Sequence, residues 1–196
     1  METINQHRNS RITIIIDMVR KLLANASLVG AAIFLISLFS LSAALVAQYA
    51  FKMTPCPLCL LQRIPYAAAM ACGFTAFLLS AKSPAKSSAY MIFLCALVFA
   101  VNAAIAFYHN GVEQHWWVSA IEGCTVPIDP ATAKTFLEKI QVLAPARCDQ
   151  IPWSDPVFHL SMAAWNILMS AGLASVSLAS FVLILRQGPR EPQPWN

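Results

Sequence analysis

The stretch LLANASLVGAAIFLISLFSLSAALVAQYAF, Leu22 to Phe51, decides the fold: thirty consecutive residues between Lys21 and Lys52 carry no formal charge. A bilayer core of about 30 Å is crossed by roughly 17–25 apolar residues wound as helix, each rising about 1.5 Å. Working outward, three further charge-free blocks run from Ile64 to Ala81, Ser87 to Val112 and Pro156 to Leu185. Lipid offers no partner for a backbone N–H or C=O, so such blocks are helical, and a membrane barrel would show short alternating strands instead. The whole chain agrees: of 196 residues, 58% are hydrophobic and 11% charged, against roughly 45–50% and about 25% in soluble domains. So little charge argues against a nucleic-acid binder or a disordered tail, and six cysteines are too few for a small secreted disulfide scaffold. Arg8, Arg11, Arg20 and Lys21 precede the first block as they would a secretion signal, but its apolar run is far longer than the 7–15 residues of a signal core. It reads as a retained anchor.

The expectation is one integral membrane domain over residues 1–196, an all-α four-helix bundle. Its helices are expected at 25–49, 64–81, 89–108 and 161–185, with tails at 1–24 and 186–196, a turn at 82–88, a short loop at 50–63 and a long loop at 109–160. Basic residues set the orientation. Arg8, Arg11, Arg20, Lys21, Lys82, Lys86, Arg186 and Arg190 lie in the tails and the turn, so both termini are expected in the cytoplasm and both loops outside. In the long loop, Asp129-Pro130 reads as an N-cap with proline at the first helical position, and Phe136, Leu137, Ile140 and Leu143 share one face. A short amphipathic helix on the membrane surface is expected there.

Four of the six cysteines fall in the outer loops: Cys56 and Cys59 in Cys56-Pro57-Leu58-Cys59, Cys124 and Cys148 in the long loop. Disulfides persist on that side of the membrane. Cys72 and Cys95 lie within helices and read as small packing residues. A Cys-x-x-Cys pair can cycle between dithiol and disulfide, and a helix start with a nearby cation lowers thiol pKa. Pro57 suits the first helical position, and Arg63 lies one turn beyond Cys59. Redox cycling, two static disulfides and a four-cysteine zinc site are the alternatives on these grounds; zinc is disfavoured by the twenty-four-residue spacing of Cys124 and Cys148. If the pairs cycle, thiol–disulfide exchange can join them, and the electron acceptor must be lipid-soluble, since neither a dinucleotide-binding Gly-x-Gly-x-x-Gly nor a haem-attachment motif is present. A membrane quinone fits.

The run Pro55-Cys56-Pro57-Leu58-Cys59-Leu60-Leu61-Gln62-Arg63 resembles the first-loop signature of the disulfide bond formation protein B (DsbB) family. Tyr108-His109-Asn110-Gly111-Val112-Glu113, Trp117, Cys148-Asp149, Trp153, Ser161-Met162-Ala163 and Asn166 extend the similarity over roughly Leu28 to Leu185. Members of that family link a DsbA-type protein to quinone and keep a bacterial periplasm oxidising. The resemblance implies a bacterial inner-membrane protein with periplasmic redox loops, a thioredoxin-fold DsbA-like partner, and ubiquinone or menaquinone as acceptor. It further implies redox disulfides Cys56-Cys59 and Cys124-Cys148, the mixed disulfide with the partner at Cys124, and exchange between Cys148 and Cys56. Cys59 would then face the quinone, and Arg63 would hold the quinone. No metal and no nucleic acid are implied.

Some family members carry an acid where this chain has Gln62, so Gln62 is read as a neighbour of the site. His109 is read either as a quinone contact or as an interfacial histidine bonded to Glu113 at i+4. Gln48, Asn102 and Asn166 fit helix–helix hydrogen bonding or a cofactor lining. Trp116, Trp117 and Trp153 read as interfacial belt residues, while His115 and His159 carry no assignment. Two other classes stay open. A vitamin K epoxide reductase-like protein also pairs loop cysteines with quinone, though its Cys-x-x-Cys usually comes late in the bundle. A non-enzymatic membrane protein would hold both disulfides static.

Overall fold

The computed structural model describes residues 2–82, 85–121, 124 and 147–187. The amphipathic helix expected after Asp129-Pro130 lies outside them. Among the described residues the fold is all-helical: α1 (Glu2–Leu23), α2 (Ala26–Tyr49), α3 (Pro57–Leu61), α4 (Arg63–Lys82), α5 (Ala85–Glu113) and α6 (Met162–Arg186). Four segments are long and apolar enough to cross a membrane: Ala26–Tyr49, Pro57–Ala81, Lys86–Glu113 and Met162–Arg186. Only 22–33% of each is buried inside the protein, so most of its apolar surface is left for lipid.

Two elements differ from the expected boundaries. The segment read as a cytoplasmic tail contains α1, which is set off from α2 by Ala24 and Asn25. Asn25 caps α2, its Oδ1 accepting the N–H groups of Ser27 and Leu28 at 3.1 and 3.3 Å. The second crossing begins at Pro57 instead of after Arg63, so Cys59 is already helical. Arg63 can sit inside the span because its Nη1 donates to Gln48 Oε1 at 2.6 Å.

The chain forms two compact units. The first comprises Met1–Ser37, Ala68–Val98 and Leu173–Asn196. In it α2 and α4 approach backbone to backbone: a Cβ on Gly30 would lie 2.8 Å from the carbonyl oxygen of Gly73. Ile33, Ile92 and Cys95 are buried there, and the Phe93 and Phe181 rings pack with centroids 4.8 Å apart. Cys72 and Cys95 are both free thiols. The second unit, Leu38–Ala67 with Phe99–Gly172, holds the other four cysteines.

Candidate active site

Proline at the first position of α3 fixes where the helix starts and thereby what Cys56 does. Cys56 is the N-cap, extended at φ −75° and ψ 163°, and its Sγ accepts the Cys59 N–H at 3.1 Å. Gln62 ends this short turn by donating its N–H to Leu58 O at 3.1 Å, and α4 continues from Arg63. Cys56 is 3% exposed and Cys59 half-buried; both are free thiols. Its hydrogen bond with the Cys59 side chain, and then burial, push the Cys56 thiol well above its ordinary value. The donor atoms of Cys56, Cys59 and His109 lie within 4.8 Å of one another, close enough to act on one proton or to hold one metal ion.

His109 is engaged on both ring nitrogens. Nε2 lies 3.5 Å from Cys56 Sγ, and Nδ1 lies 3.0 Å from Gln62 Nε2. The Gln62 amide can only donate, so Nδ1 accepts and the ring proton sits on Nε2, facing the thiol. Asn166 fixes which way Gln62 points. Its Oδ1 accepts from Tyr66 at 2.8 Å and from Ser170 at 3.1 Å, which leaves its Nδ2 to donate to Gln62 Oε1 at 2.7 Å. Asn102 joins the same cluster through Ser170 at 2.9 Å. A polar chain thus runs from buried Cys56 through buried His109 and Gln62 to half-buried Asn166. The expected His109–Glu113 contact is present but longer, at 3.7 Å from Nε2. Glu113 instead accepts a hydrogen bond from Ser161, whose Oγ also caps α6 by accepting the Ala164 N–H at 3.1 Å.

Cys124 and Cys148 form a disulfide with Cα atoms 4.7 Å apart, and neither is exposed. They pack in one buried cluster with Cys56, Leu58 and Val112, flanked by Cys59, Ile105, Tyr108 and Ile121. The disulfide removes both sulfurs from any four-cysteine zinc set. The end of α5 steers the chain toward this cluster. Trp116 N–H returns to Gly111 O at 2.9 Å and His115 N–H to Val112 O at 3.1 Å, with His115 left-handed at φ 59°. Trp117 then folds over Gly111, where a Cβ would overlap its indole, and donates Nε1–H to Tyr108 O at 3.2 Å. The Tyr108 hydroxyl accepts the Ala120 N–H at 2.8 Å, four residues before Cys124. Next to Cys148, Arg147 pairs with Asp149, Nε to Oδ1 at 2.9 Å, which holds the Asp149 carboxyl below its ordinary value.

The six residues singled out from the sequence therefore all lie in the second unit, with five of them in direct contact or in one buried cluster. Arg63 stands apart, bonded to Gln48. Sequence reasoning left Tyr66 and Ser170 unnoticed. The one available signal was spacing, since Asn166 and Ser170 are i and i+4 on a charge-free helix. His159 is a left-handed turn residue at φ 55°, with its N–H on Asp155 O.

Comparison with known proteins gives a consistent picture. The sequence profile described as "Disulfide bond formation protein DsbB" matches residues 26–180. An uncharacterized protein of Rickettsia prowazekii (strain Madrid E) is 26% identical over 150 residues, covering 76% of this chain and 75% of the relative. No solved structure matches significantly.

Proposed function

The chain belongs to the DsbB family of disulfide bond formation proteins, and from that premise we propose that it is a quinone-dependent thiol–disulfide oxidoreductase of the bacterial inner membrane. Its substrate is a periplasmic thioredoxin-like dithiol protein of DsbA type, which it reoxidises. Both termini face the cytoplasm and the two cysteine loops face the periplasm. The observation that carries this reading is the shared burial of the Cys124–Cys148 disulfide and Cys56 in one cluster, with half-buried Cys59 beside it.

Electron transfer proceeds by exchange. A thiolate of the reduced partner attacks Cys124, forming a mixed disulfide and releasing Cys148 as thiolate. Cys148 attacks Cys56 of the oxidised Cys56–Cys59 pair, and Cys59 leaves as thiolate. The partner's second thiolate displaces Cys124, which leaves the partner oxidised. Cys124 then attacks Cys148 and frees Cys56. The loop disulfide is restored, and two electrons rest on Cys56 and Cys59, which matches the bonding of these four cysteines here: Cys124 joined to Cys148, with Cys56 and Cys59 as free thiols.

His109 holds a proton at Cys56 Sγ through Nε2–H, stabilising that sulfur whenever it carries charge. Cys59 faces the acceptor, and Arg63 offers the guanidinium N–H groups that Gln48 does not take. Leu60, Leu61 and Ile64 around them are exposed, which gives an apolar acceptor a route from lipid. These donors and this apolar approach fit ubiquinone or menaquinone, which when bound takes up two electrons and two protons. The test uses purified protein, quinone and a reduced thioredoxin-like dithiol protein. Native protein is expected to consume partner thiols while Cys59→Ser is not; equal thiol loss in both sinks the assignment.

A further inference from the structure

The end of α1 presents two unlike faces. Asp17, Arg20, Lys21 and, just beyond the helix, Ala24 recur at helical spacing. With Leu183, Arg186 and Gln187 at the end of α6 they line a cavity of about 320 Å³. Three cations thus meet one carboxylate. Among the described residues none of the three cations is ion-paired. The last turns of two helices favour cations, but each helix end carries only about half a negative charge, so the two together offset about one. The remaining positive charge is held between two facing helix ends, where like charges repel. An anion in the cavity relieves that repulsion.

The other face of α1 says where the anion comes from. Ile12, Ile15, Ile16 and Val19 also recur at helical spacing, on a stripe that borders the cavity residues where Ile16 lies one turn from Arg20 but is centred roughly 140° around the helix from them, and are 45–58% exposed. A water-facing helix would not present such a stripe, whereas a helix lying in the membrane interface buries it in lipid. A helix lying so would put the cavity at the level of phospholipid phosphates. We propose that the cavity between the ends of α1 and α6 binds the phosphate of an anionic phospholipid. Arg20, Lys21 and Arg186 would hold the phosphate and Asp17 would oppose it. This site belongs to the first unit and is independent of the redox reading.

The experiment uses the full-length protein, stripped of lipid in neutral detergent and titrated with phosphatidylglycerol, phosphatidylcholine or inorganic phosphate, with bound ligand read by native mass spectrometry. One saturable phosphatidylglycerol adduct is expected, with weaker phosphatidylcholine binding. Arg20→Gln, Lys21→Gln and Arg186→Gln should each weaken the phosphatidylglycerol adduct by about fivefold. Asp17→Asn should tighten it, a gain that a folding defect would not produce. Equal binding of the two lipids, a phosphatidylglycerol affinity unmoved by the three substitutions, or weaker binding by Asp17→Asn overturns the proposal. Inorganic phosphate binding as tightly as the lipid, or a protein dimer in place of the adduct, overturns it as well.

Discussion

Gln62 stands between the residue that carries a proton and the residues that decide where the proton is. Its amide donates to His109 Nδ1 and its carbonyl accepts from Asn166, so the imidazole presents Nε2–H to Cys56. Gln62→Leu removes the donor and releases both tautomers. The expected result is roughly a tenfold slower exchange at Cys56, less than the roughly hundredfold or more that a positioned proton donor contributes, because His109 itself is kept. Because Gln62 acts through His109, the double variant with His109→Ala should be no slower than His109→Ala alone; additive losses in stopped-flow thiol exchange would separate the two residues. Asp149 gives a second prediction at this scale. A carboxylate whose folded pKa is depressed stabilises the fold above its unfolded pKa and loses that contribution as pH falls through the folded one. Arg147 depresses Asp149, and the pair is partly exposed. Asp149→Asn should therefore cost no more than about 1 kcal/mol at pH 7, a difference that shrinks as pH falls below about 4. Thermal unfolding at the two pH values reads it.

At the scale of elements, the end of α5 and the start of α3 do most to build the site. Gly111 lets Trp117 lie flat on the helix, and Trp117 with Tyr108 turns the chain toward Cys124. Gly111→Ala forces the indole out, with an overpacking cost of about 1–3 kcal/mol. Thermal unfolding and Cys124 alkylation after mild reduction should both shift toward the looser state; unchanged alkylation would mean that Trp117 does not position the loop. The motif residues from Tyr108 to Glu113 were legible as a signature, but their purpose needed the backbone path beyond the helix. The same holds for the α3 start. Charge placed the second helix after Arg63, because a charge normally ends a span, and only the hydrogen bond to Gln48 explains its place inside. α1 went unseen because Arg8, Arg11 and Asp17 made its segment look like a solvated tail, although ITIIIDMV carries apolar residues at helical spacing.

For the molecule as a whole, the four crossings were readable from charge-free length alone, since lipid leaves an apolar chain no other way to satisfy its backbone. Cys56, Cys59, Cys124 and Cys148 were readable as one set because the basic flanks assign both of their loops to the same expected side of the membrane. The polar chain beneath them was not, because Gln62, His109 and Asn166 come from different helices and nothing in local sequence pairs them. The central claim is that electrons pass between the two pairs through Cys148 and Cys56, and disulfide mapping tests it most directly. In protein carrying both Cys59→Ser and Cys124→Ser, the exchange route leaves only Cys56 and Cys148 to join. Mass spectrometry of air-oxidised protein is expected to find a Cys56–Cys148 disulfide; both residues remaining as free thiols would contradict the account.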